Sequence, residues 1–248
     1  MSPARDEQKP ALVLLHGFAL DARMWKRQVE AFKDDYRLLT LDLPGFGPQA
    51  RDVGEIDPAA EVARAMDVAK LVKAHFVASS YGAAVAIDFA LRNRARVQSL
   101  TLVGPLLLGR RMGIESWQRC VSLANEGDRA TAAEIWLDDP MFETLRQDEE
   151  LFEEVRQIVL DYNGAHWTGK VSSKWSDPDP VPRLKEIQAP ALIVSGEADI
   201  PSFMLMAEAY AKGLPRARRE IVQGVGHLVN IEAAEVFNEM YRLFLKTL

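Results

Sequence analysis

Two adjacent serines, Ser79 and Ser80, stand in the stretch VASSYGAA, between an apolar run and a series of small residues. A serine held on a sharp turn from a strand into a helix can act as a nucleophile, and this turn requires small residues two positions before and after it. For Ser80 those positions hold Ala78 and Gly82. For Ser79 they hold a valine and a tyrosine, so sterics favour Ser80. The stretch alone is nearly as compatible with a Ser/Gly turn that has no chemical role.

Two later stretches supply the groups that would activate such a serine. SGEAD at 195–199 ends in Asp199, and GVGHLVN at 224–230 contains His227; each stretch follows an apolar run. A serine hydroxyl is a poor nucleophile at neutral pH, so a neutral imidazole must take its proton. A carboxylate then holds the imidazole in the correct tautomer and stabilises its charged form. The pattern predicts a nucleophile, an acid and a base in the chain order Ser, Asp, His.

Backbone N–H groups near the same turn could bind a developing negative charge. The first apolar run ends in LLHGF, so that the N–H of Phe18 could face the site. The N–H of Tyr81, at the start of the predicted helix, would be the second donor. Two such donors form an oxyanion hole, which stabilises a tetrahedral intermediate.

Six continuous apolar runs predict the strands that must position these residues, since buried parallel strands are apolar throughout and end in Gly, Ser or Pro. The runs are 11–17, 36–45, 75–79, 97–104, 190–196 and 218–224. Between them, helix-like segments cover 25–32, 58–72, 81–92, 203–212 and 233–245. Alternating strands and helices predict an α/β fold with a doubly wound, mostly parallel sheet. Ligands bind beyond the carboxyl ends of such strands, where the candidate residues stand.

The interval 105–188 interrupts this alternation. It contains several helical segments and no strand-like run, which predicts an all-helical lid inserted into a core formed by 1–104 and 189–248. Every tryptophan except Trp25 lies in this interval, which suggests a mostly apolar pocket. Phe142 and Trp167 stand in loops, where side chains are freer to point inward, and we expect them to contact substrate. A pocket walled by large rings favours short acyl groups or compact lactones.

The motifs together resemble those of α/β-hydrolase-fold serine hydrolases. The matching stretches are HGF, DLPGFG, ASSYG, GEAD and GVGH, and the similarity covers almost the whole chain, closest to small bacterial carboxylesterases and lactonases. The resemblance implies that Ser80 is the nucleophile, Asp199 the acid and His227 the base, with Phe18 and Tyr81 forming the oxyanion hole. One departure is Ala78, which replaces the first glycine of the family's serine turn.

Other acids and histidines compete for these roles. The family's spacing places the acid three residues after the glycine, which favours Asp199 over Glu197. Asp42 belongs to a turn that is usually structural in this fold, and no acid follows the run 97–104. His16 is expected to be structural.

The resemblance implies hydrolysis of a small ester or lactone through an acyl-enzyme, without cofactor or metal. A serine at position 80 excludes the haloalkane dehalogenase and epoxide hydrolase branches, which need an aspartate there. Carbon–carbon bond hydrolases, perhydrolases and lyases use the same triad on the same fold, and some triad-containing members are ligand receptors. All of these remain alternatives.

Composition bounds the class of protein. The 248 residues are 48% hydrophobic and 27% charged, typical of a globular domain, and a net charge of -6 argues against nucleic-acid binding. Cys120, the only cysteine, allows no internal disulfide. The opening MSPARDEQKP does not fit a secretory signal, and no apolar run is long enough to span a membrane. We expect a cytoplasmic monomer or homodimer with a small-molecule substrate.

Overall fold

The predicted apolar runs form strands in the computed structural model, which describes residues 9–47 and 54–248. The strands in these ranges are β1 (Ala11–Leu15), β2 (Arg37–Leu41), β3 (Gly54–Ile56), β4 (Ala74–Ser79), β5 (Val97–Val103), β6 (Val171–Ser173), β7 (Ala191–Gly196) and β8 (Ala217–Val222). Six of them form one sheet in the order β2-β1-β4-β5-β7-β8, and every neighbouring pair is parallel. The prediction of an α/β fold with a parallel sheet is therefore confirmed. The opening residues that bear on a secretory signal lie mostly outside the described ranges.

Helices cover both faces of this sheet and build the lid. They are α1 (Lys26–Phe32), α2 (Pro58–Val68), α3 (Tyr81–Arg92), α4 (Trp117–Asn125), α5 (Arg129–Leu137), α6 (Glu149–Asp161), α7 (Pro201–Gly213), α8 (Val229–Glu232) and α9 (Ala234–Leu245). The start of α2 is set by Asp57, whose side chain accepts from the N–H of Ala60 at 2.9 Å, and by Pro58 at the first helical position. None of the helices in the described part of the chain has the length and apolar content needed to cross a bilayer.

The inner strands carry the core because both of their faces are covered. All of β1 is buried, as are nearly all residues of β4 and β7, which explains their continuous apolar sequences. The outer strand β2 is only partly buried along its whole length. The strongest apolar runs in the sequence therefore mark the centre of the sheet.

The lid between β5 and β7 is not all-helical, and this part of the sequence prediction is wrong. It contains α4, α5 and α6, but also β6, which pairs in parallel with β3 from the core segment. Gly54 pairs with Val171 and Ile56 with Ser173. Strands of three residues have no readable apolar run, and their backbone groups are satisfied only by a partner distant in sequence. The small sheet joins the lid to the segment before α2.

Candidate active site

Ser80 occupies the turn between β4 and α3 in a strained backbone conformation. Its φ is +49°, in the left-handed region that a residue with a side chain adopts only when its surroundings impose it. The Ser80 N–H donates to the carbonyl of Val103 on β5 at 2.9 Å, and its carbonyl accepts from the N–H of Ala83 at 2.9 Å. Hydrogen bonds on both sides of the residue therefore fix the turn, as a nucleophile turn requires.

The two adjacent serines lie in different environments. Ser79 is the last residue of β4 and is completely buried, and its hydroxyl has no hydrogen-bond partner among the described residues. Ser80 lines a cavity of about 420 Å³. Only Ser80 is therefore placed to meet a substrate.

Gly82 explains why the turn needs a small residue two positions after the serine. A Cβ atom at this position would lie 2.4 Å from the carbonyl oxygen of Leu15 and 2.6 Å from that of His16. The collision is with the backbone at the end of β1, rather than with the side chain of the residue two positions before the serine. The missing side chain lets α3 pack directly against the strand that leads to Phe18.

His227 and Asp199 form a buried pair beyond the ends of β8 and β7. The His227 Nδ1 donates to Asp199 Oδ2 at 2.9 Å, and the two side chains are 3% and 1% exposed. The N–H of Ile200 donates to the other carboxylate oxygen at 2.8 Å. This arrangement keeps the proton of a neutral imidazole on Nδ1 and leaves the lone pair on Nε2 for accepting a proton.

Two opposing effects act on the charge of His227. Burial alone would lower the pKa of its imidazole, but the adjacent Asp199 carboxylate favours the charged form. Glu232 and Asp139 act in the same direction, and the pKa of His227 lies above its ordinary value. The site therefore stabilises the imidazolium that forms when His227 accepts a proton.

The His227 ring packs between Gly104 and Phe203. A Cβ atom at Gly104, directly after β5, would lie 2.9 Å from His227 Nδ1, and the Phe203 ring centre is 4.3 Å from that of His227. Gly104 also has a φ of +48°, which favours glycine. The sequence has no acid directly after β5. The space beside Gly104, where such a side chain would lie, is occupied by the His227 imidazole.

Ser80, Tyr81, Phe18 and His227 all line one cavity of about 420 Å³ beneath the lid. Tyr81 is the first residue of α3, where a helix leaves the N–H without an intrahelical acceptor. Across residues 9–47 and 54–248, neither the Tyr81 N–H nor the Phe18 N–H has a protein acceptor. Both predicted oxyanion-hole residues therefore border the cavity with a backbone donor unused.

The lid supplies most of the cavity wall, and its contributions are mainly large apolar side chains. Phe142 lines the cavity as expected. The other aromatic residues that the lid contributes to this wall are Trp117, Trp136, His166 and Trp175. The polar side chains of Ser172 and Ser173 border it as well, at strand β6.

Trp167 does not line the cavity, contrary to the expectation from its loop position. It is 2% exposed, and its ring lies 5.0 Å from that of Tyr162 and 6.1 Å from that of Trp136. The loop folds back on itself, with the His166 N–H donating to the Tyr162 hydroxyl at 2.8 Å. This turn directs Trp167 into the lid and its neighbour His166 toward the cavity.

For His166 the sequence favours packing within the lid over contact with substrate, but the residue lines the cavity. Its ring stacks on Phe46 at 4.4 Å, and its Nε2 donates to the carbonyl of Pro44 at 3.2 Å. Burial lowers the pKa of His166 to about 4. At neutral pH it is therefore an uncharged part of the wall.

The competing residues have structural surroundings. Glu197 is exposed and accepts from the N–H of Gly224 at 3.2 Å. Asp42 is exposed and accepts from the N–H of Ala22 at 2.8 Å. His16 is buried, contacts the carbonyl of Gly17, and accepts from the N–H of Leu43, so it links the ends of β1 and β2.

Comparison with known proteins agrees with this fold. The sequence profile of the Alpha/beta hydrolase family matches residues 12–240. A 2-hydroxy-6-oxononadienedioate/2-hydroxy-6-oxononatrienedioate hydrolase of Paraburkholderia phymatum is 32% identical, over 96% of this chain and 87% of its own length. The 3-oxoadipate enol-lactonase 1 of Acinetobacter baylyi is 25% identical, over 98% of this chain and 91% of its own.

A solved structure extends the likeness to three dimensions. The thermophilic esterase of Thermogutta terrifontis is 27% identical and superposes with a TM-score of 0.81, covering 96% of this chain and 90% of the esterase. The overall fold is thus shared over nearly the whole length of both chains. The chain belongs to the alpha/beta hydrolase family.

Proposed function

We propose that this protein hydrolyses a small carboxylic ester or lactone through an acyl-enzyme on Ser80. The observation that carries the proposal is the pairing of a strained, cavity-lining serine with a buried His227–Asp199 hydrogen bond of 2.9 Å. A histidine oriented by a carboxylate beside such a serine supplies the base that a hydroxyl nucleophile needs.

In the first half of the reaction, Ser80 Oγ attacks the carbonyl carbon while His227 Nε2 accepts its proton. The N–H groups of Phe18 and Tyr81 donate to the oxyanion of the tetrahedral intermediate. The intermediate collapses, the carbon–oxygen bond of the ester breaks, and the leaving alkoxide takes the proton from His227. For a lactone, the alcohol produced stays attached to the acyl group.

In the second half, water attacks the acyl-enzyme with His227 again acting as base. Asp199 stabilises the imidazolium in both halves without taking the proton itself. A second tetrahedral intermediate collapses, the carboxylic acid leaves, and Ser80 regains its proton from His227. The cycle consumes one water molecule and returns Ser80 and His227 to their starting protonation states.

The cavity supports a compact, mostly apolar substrate. Its volume of about 420 Å³ is enclosed largely by lid rings and by leucine and methionine side chains. Walls of this kind bind by shape and apolar contact, with few polar groups to fix orientation. Short acyl groups and small lactone rings fit this description better than long acyl chains do.

Hydrolysis of a carbon–carbon bond is the second candidate, and the relative from Paraburkholderia phymatum favours it. The substrate in that protein's name is a hydroxy-oxo dicarboxylate without an ester linkage, so its hydrolysis must break a bond between carbons. Such a reaction needs the same serine, histidine and oxyanion donors when Ser80 attacks a ketone carbonyl. The leaving group is then a carbanion that must be protonated.

One panel of substrates tests these proposals together. We would assay p-nitrophenyl esters of increasing acyl length, small lactones, and β-diketones or 2-hydroxy-6-oxo acids, with wild-type protein and the Ser80→Ala variant. Ser80-dependent turnover of short esters or lactones supports the proposal, and turnover of the ketones alone would replace it with the second candidate. Tight, saturable binding without turnover would contradict both and indicate a receptor.

A further inference from the structure

A carboxylate outside the triad holds the backbone that carries His227. Glu232, the last residue of α8, accepts from the N–H of Gly226 at 3.0 Å through Oε2 and from the N–H of Leu228 at 3.0 Å through Oε1. These two amides flank His227 directly. One carboxylate thus accepts hydrogen bonds from the backbone on both sides of His227. Hydrogen bonds to a charged acceptor are stronger than hydrogen bonds between two neutral groups.

The same carboxylate is tied to the lid. The hydroxyl of Thr144, in the segment between Phe142 and α6, donates to Glu232 Oε2. The N–H of His227 itself donates to the carbonyl of Met141 at 3.4 Å. Three consecutive amides of the His227 loop are therefore held by Glu232 and by one short lid segment.

The lid segment packs tightly against the His227 loop at Gly226. A Cβ atom at Gly226 would lie 2.5 Å from Thr144 Oγ1 and 3.2 Å from the carbonyl oxygen of Met141. The lid segment that touches the loop also contributes Met141 and Phe142 to the cavity wall. The part of the lid that meets substrate is thus the part that contacts the His227 backbone.

We propose that Glu232 is a positioning residue for His227, and that Thr144 links this positioning to the lid. The proposal rests on the proposed function, in which His227 is the base. The imidazole must face Asp199 through Nδ1 and Ser80 through Nε2 at the same time, and His227 lies in a loop outside regular secondary structure. Fixing the neighbouring amides fixes the direction of the side chain between these two partners.

Glu232 has an electrostatic effect that a purely structural brace would lack. The charged groups that face His227 are Asp199 beyond β7, Glu232 on α8 and Asp139 in the lid, and all three favour the imidazolium. Loss of the Glu232 charge therefore lowers the pKa of His227. Loss of the Thr144 hydroxyl leaves that charge in place.

The test compares Glu232→Gln with Glu235→Gln, an exposed carboxylate at the start of α9. A glutamine at 232 keeps one acceptor but turns an amide donor toward the N–H groups. Misplacement of a catalytic group by about 1 Å can cost about 100-fold in rate, so we expect kcat to fall by about that factor with little change in KM. The acid limb of kcat/KM should also move to lower pH, whereas Glu235→Gln should match wild type in both.

Thr144 gives a second pair that does not alter charge. Thr144→Val should lower kcat without moving the acid limb, and Thr144→Ser, which keeps the hydroxyl, should restore kcat. The melting temperature of each variant reports on its folding. The rate at which a fluorophosphonate phosphonylates the variant reports on the reactivity of its serine. If Glu232→Gln does not fold, the Thr144 pair carries the test.

The outcomes separate this inference from the proposed function. Wild-type activity that survives Ser80→Ala would overturn the proposed function itself. Activity that requires Ser80 but is the same in Glu232→Gln and Glu235→Gln, with the same acid limb, would overturn only the positioning role. A fall in melting temperature with unchanged kcat would likewise assign Glu232 a structural role alone.

Discussion

At the scale of single residues, the site depends on two positions that have no side chain. Gly82 lets α3 reach the end of β1, and Gly104 leaves room for the His227 ring. Backbone oxygen atoms approach Gly82 closely and ring atoms approach Gly104 closely, so the methyl group of an alanine would collide at either position. The sequence pattern indicated the first of these requirements, but the second depends on which side chain fills the space after β5.

The acid of the triad can be tested by isosteric change. Asp199→Asn should lower kcat by about 10⁴-fold with the fold intact, because the amide favours the wrong imidazole tautomer. Glu197→Gln should leave kcat near wild type, since the Glu197 carboxylate is exposed and accepts a hydrogen bond from the neighbouring turn at Gly224. Steady-state kinetics and circular dichroism of both variants measure this, and a larger loss in Glu197→Gln would reverse the assignment.

The pH dependence follows from the raised pKa of His227. Only the neutral imidazole can take the proton of Ser80, so kcat/KM should fall as the pH decreases through the pKa of the free enzyme. Because the carboxylates of Asp199, Glu232 and Asp139 together outweigh the effect of burial, the half-maximum should lie above the ordinary histidine value of about 6.5. A rate profile between pH 4 and 9 checks this, and flat activity well below 6.5 in folded protein contradicts it.

At the scale of elements, the inner strands β1, β4, β5 and β7 were predictable because they are largely buried and therefore continuously apolar, whereas the edge strands β2 and β8 are only partly buried. Their ends also located the candidate residues, since parallel strands place their carboxyl ends on one edge of the sheet. The helix predicted over 58–72 ends earlier, at Val68, where the chain turns and Lys70 adopts a φ of +55°. Strands β3 and β6 were missed because three-residue strands are defined by their pairing and not by their own composition.

In the lid, the sequence likewise does not predict the direction of individual side chains. Spacing identified an aromatic-rich insertion, but not which rings face the cavity: Phe142 lines it, while Trp167 packs within the lid and His166 takes the cavity-facing place. A loop position leaves the direction of a side chain open. Contacts that the sequence does not reveal fix it here, among them the hydrogen bond from the His166 N–H to the Tyr162 hydroxyl and the stacking of His166 on Phe46.

These different placements predict different effects for two similar substitutions. Phe142→Ala should enlarge the cavity and shift ester preference toward longer acyl chains. Trp167→Ala should instead reduce the free energy of unfolding by about 3–5 kcal/mol, as expected for a buried tryptophan, with a largely unchanged preference. Urea denaturation and kcat/KM across a series from acetate to decanoate measure both effects. A preference that moves in Trp167→Ala but not in Phe142→Ala would contradict the described cavity.

At the scale of the whole molecule, hydrogen bonds attach the lid to two separate helices of the core. Tyr81, the residue after Ser80, and Ser173 share a hydroxyl hydrogen bond of 2.7 Å, which joins the start of α3 to β6. Arg27 on α1 forms two hydrogen bonds with Glu154 on α6, the shorter 2.9 Å long. The core and the lid therefore form the cavity together. The edge of the sheet contributes the candidate reactive residues, and the lid contributes most of the apolar wall.

The central claim is that Ser80, and not its neighbour, is the nucleophile of this hydrolase. Reaction with a fluorophosphonate, followed by mass spectrometry with fragmentation of the peptide spanning both serines, tests it most directly. We predict one adduct, located on Ser80, in wild type and in Ser79→Ala, and none in Ser80→Ala. An adduct on Ser79, or equal loss of labelling in the two variants, would contradict the account.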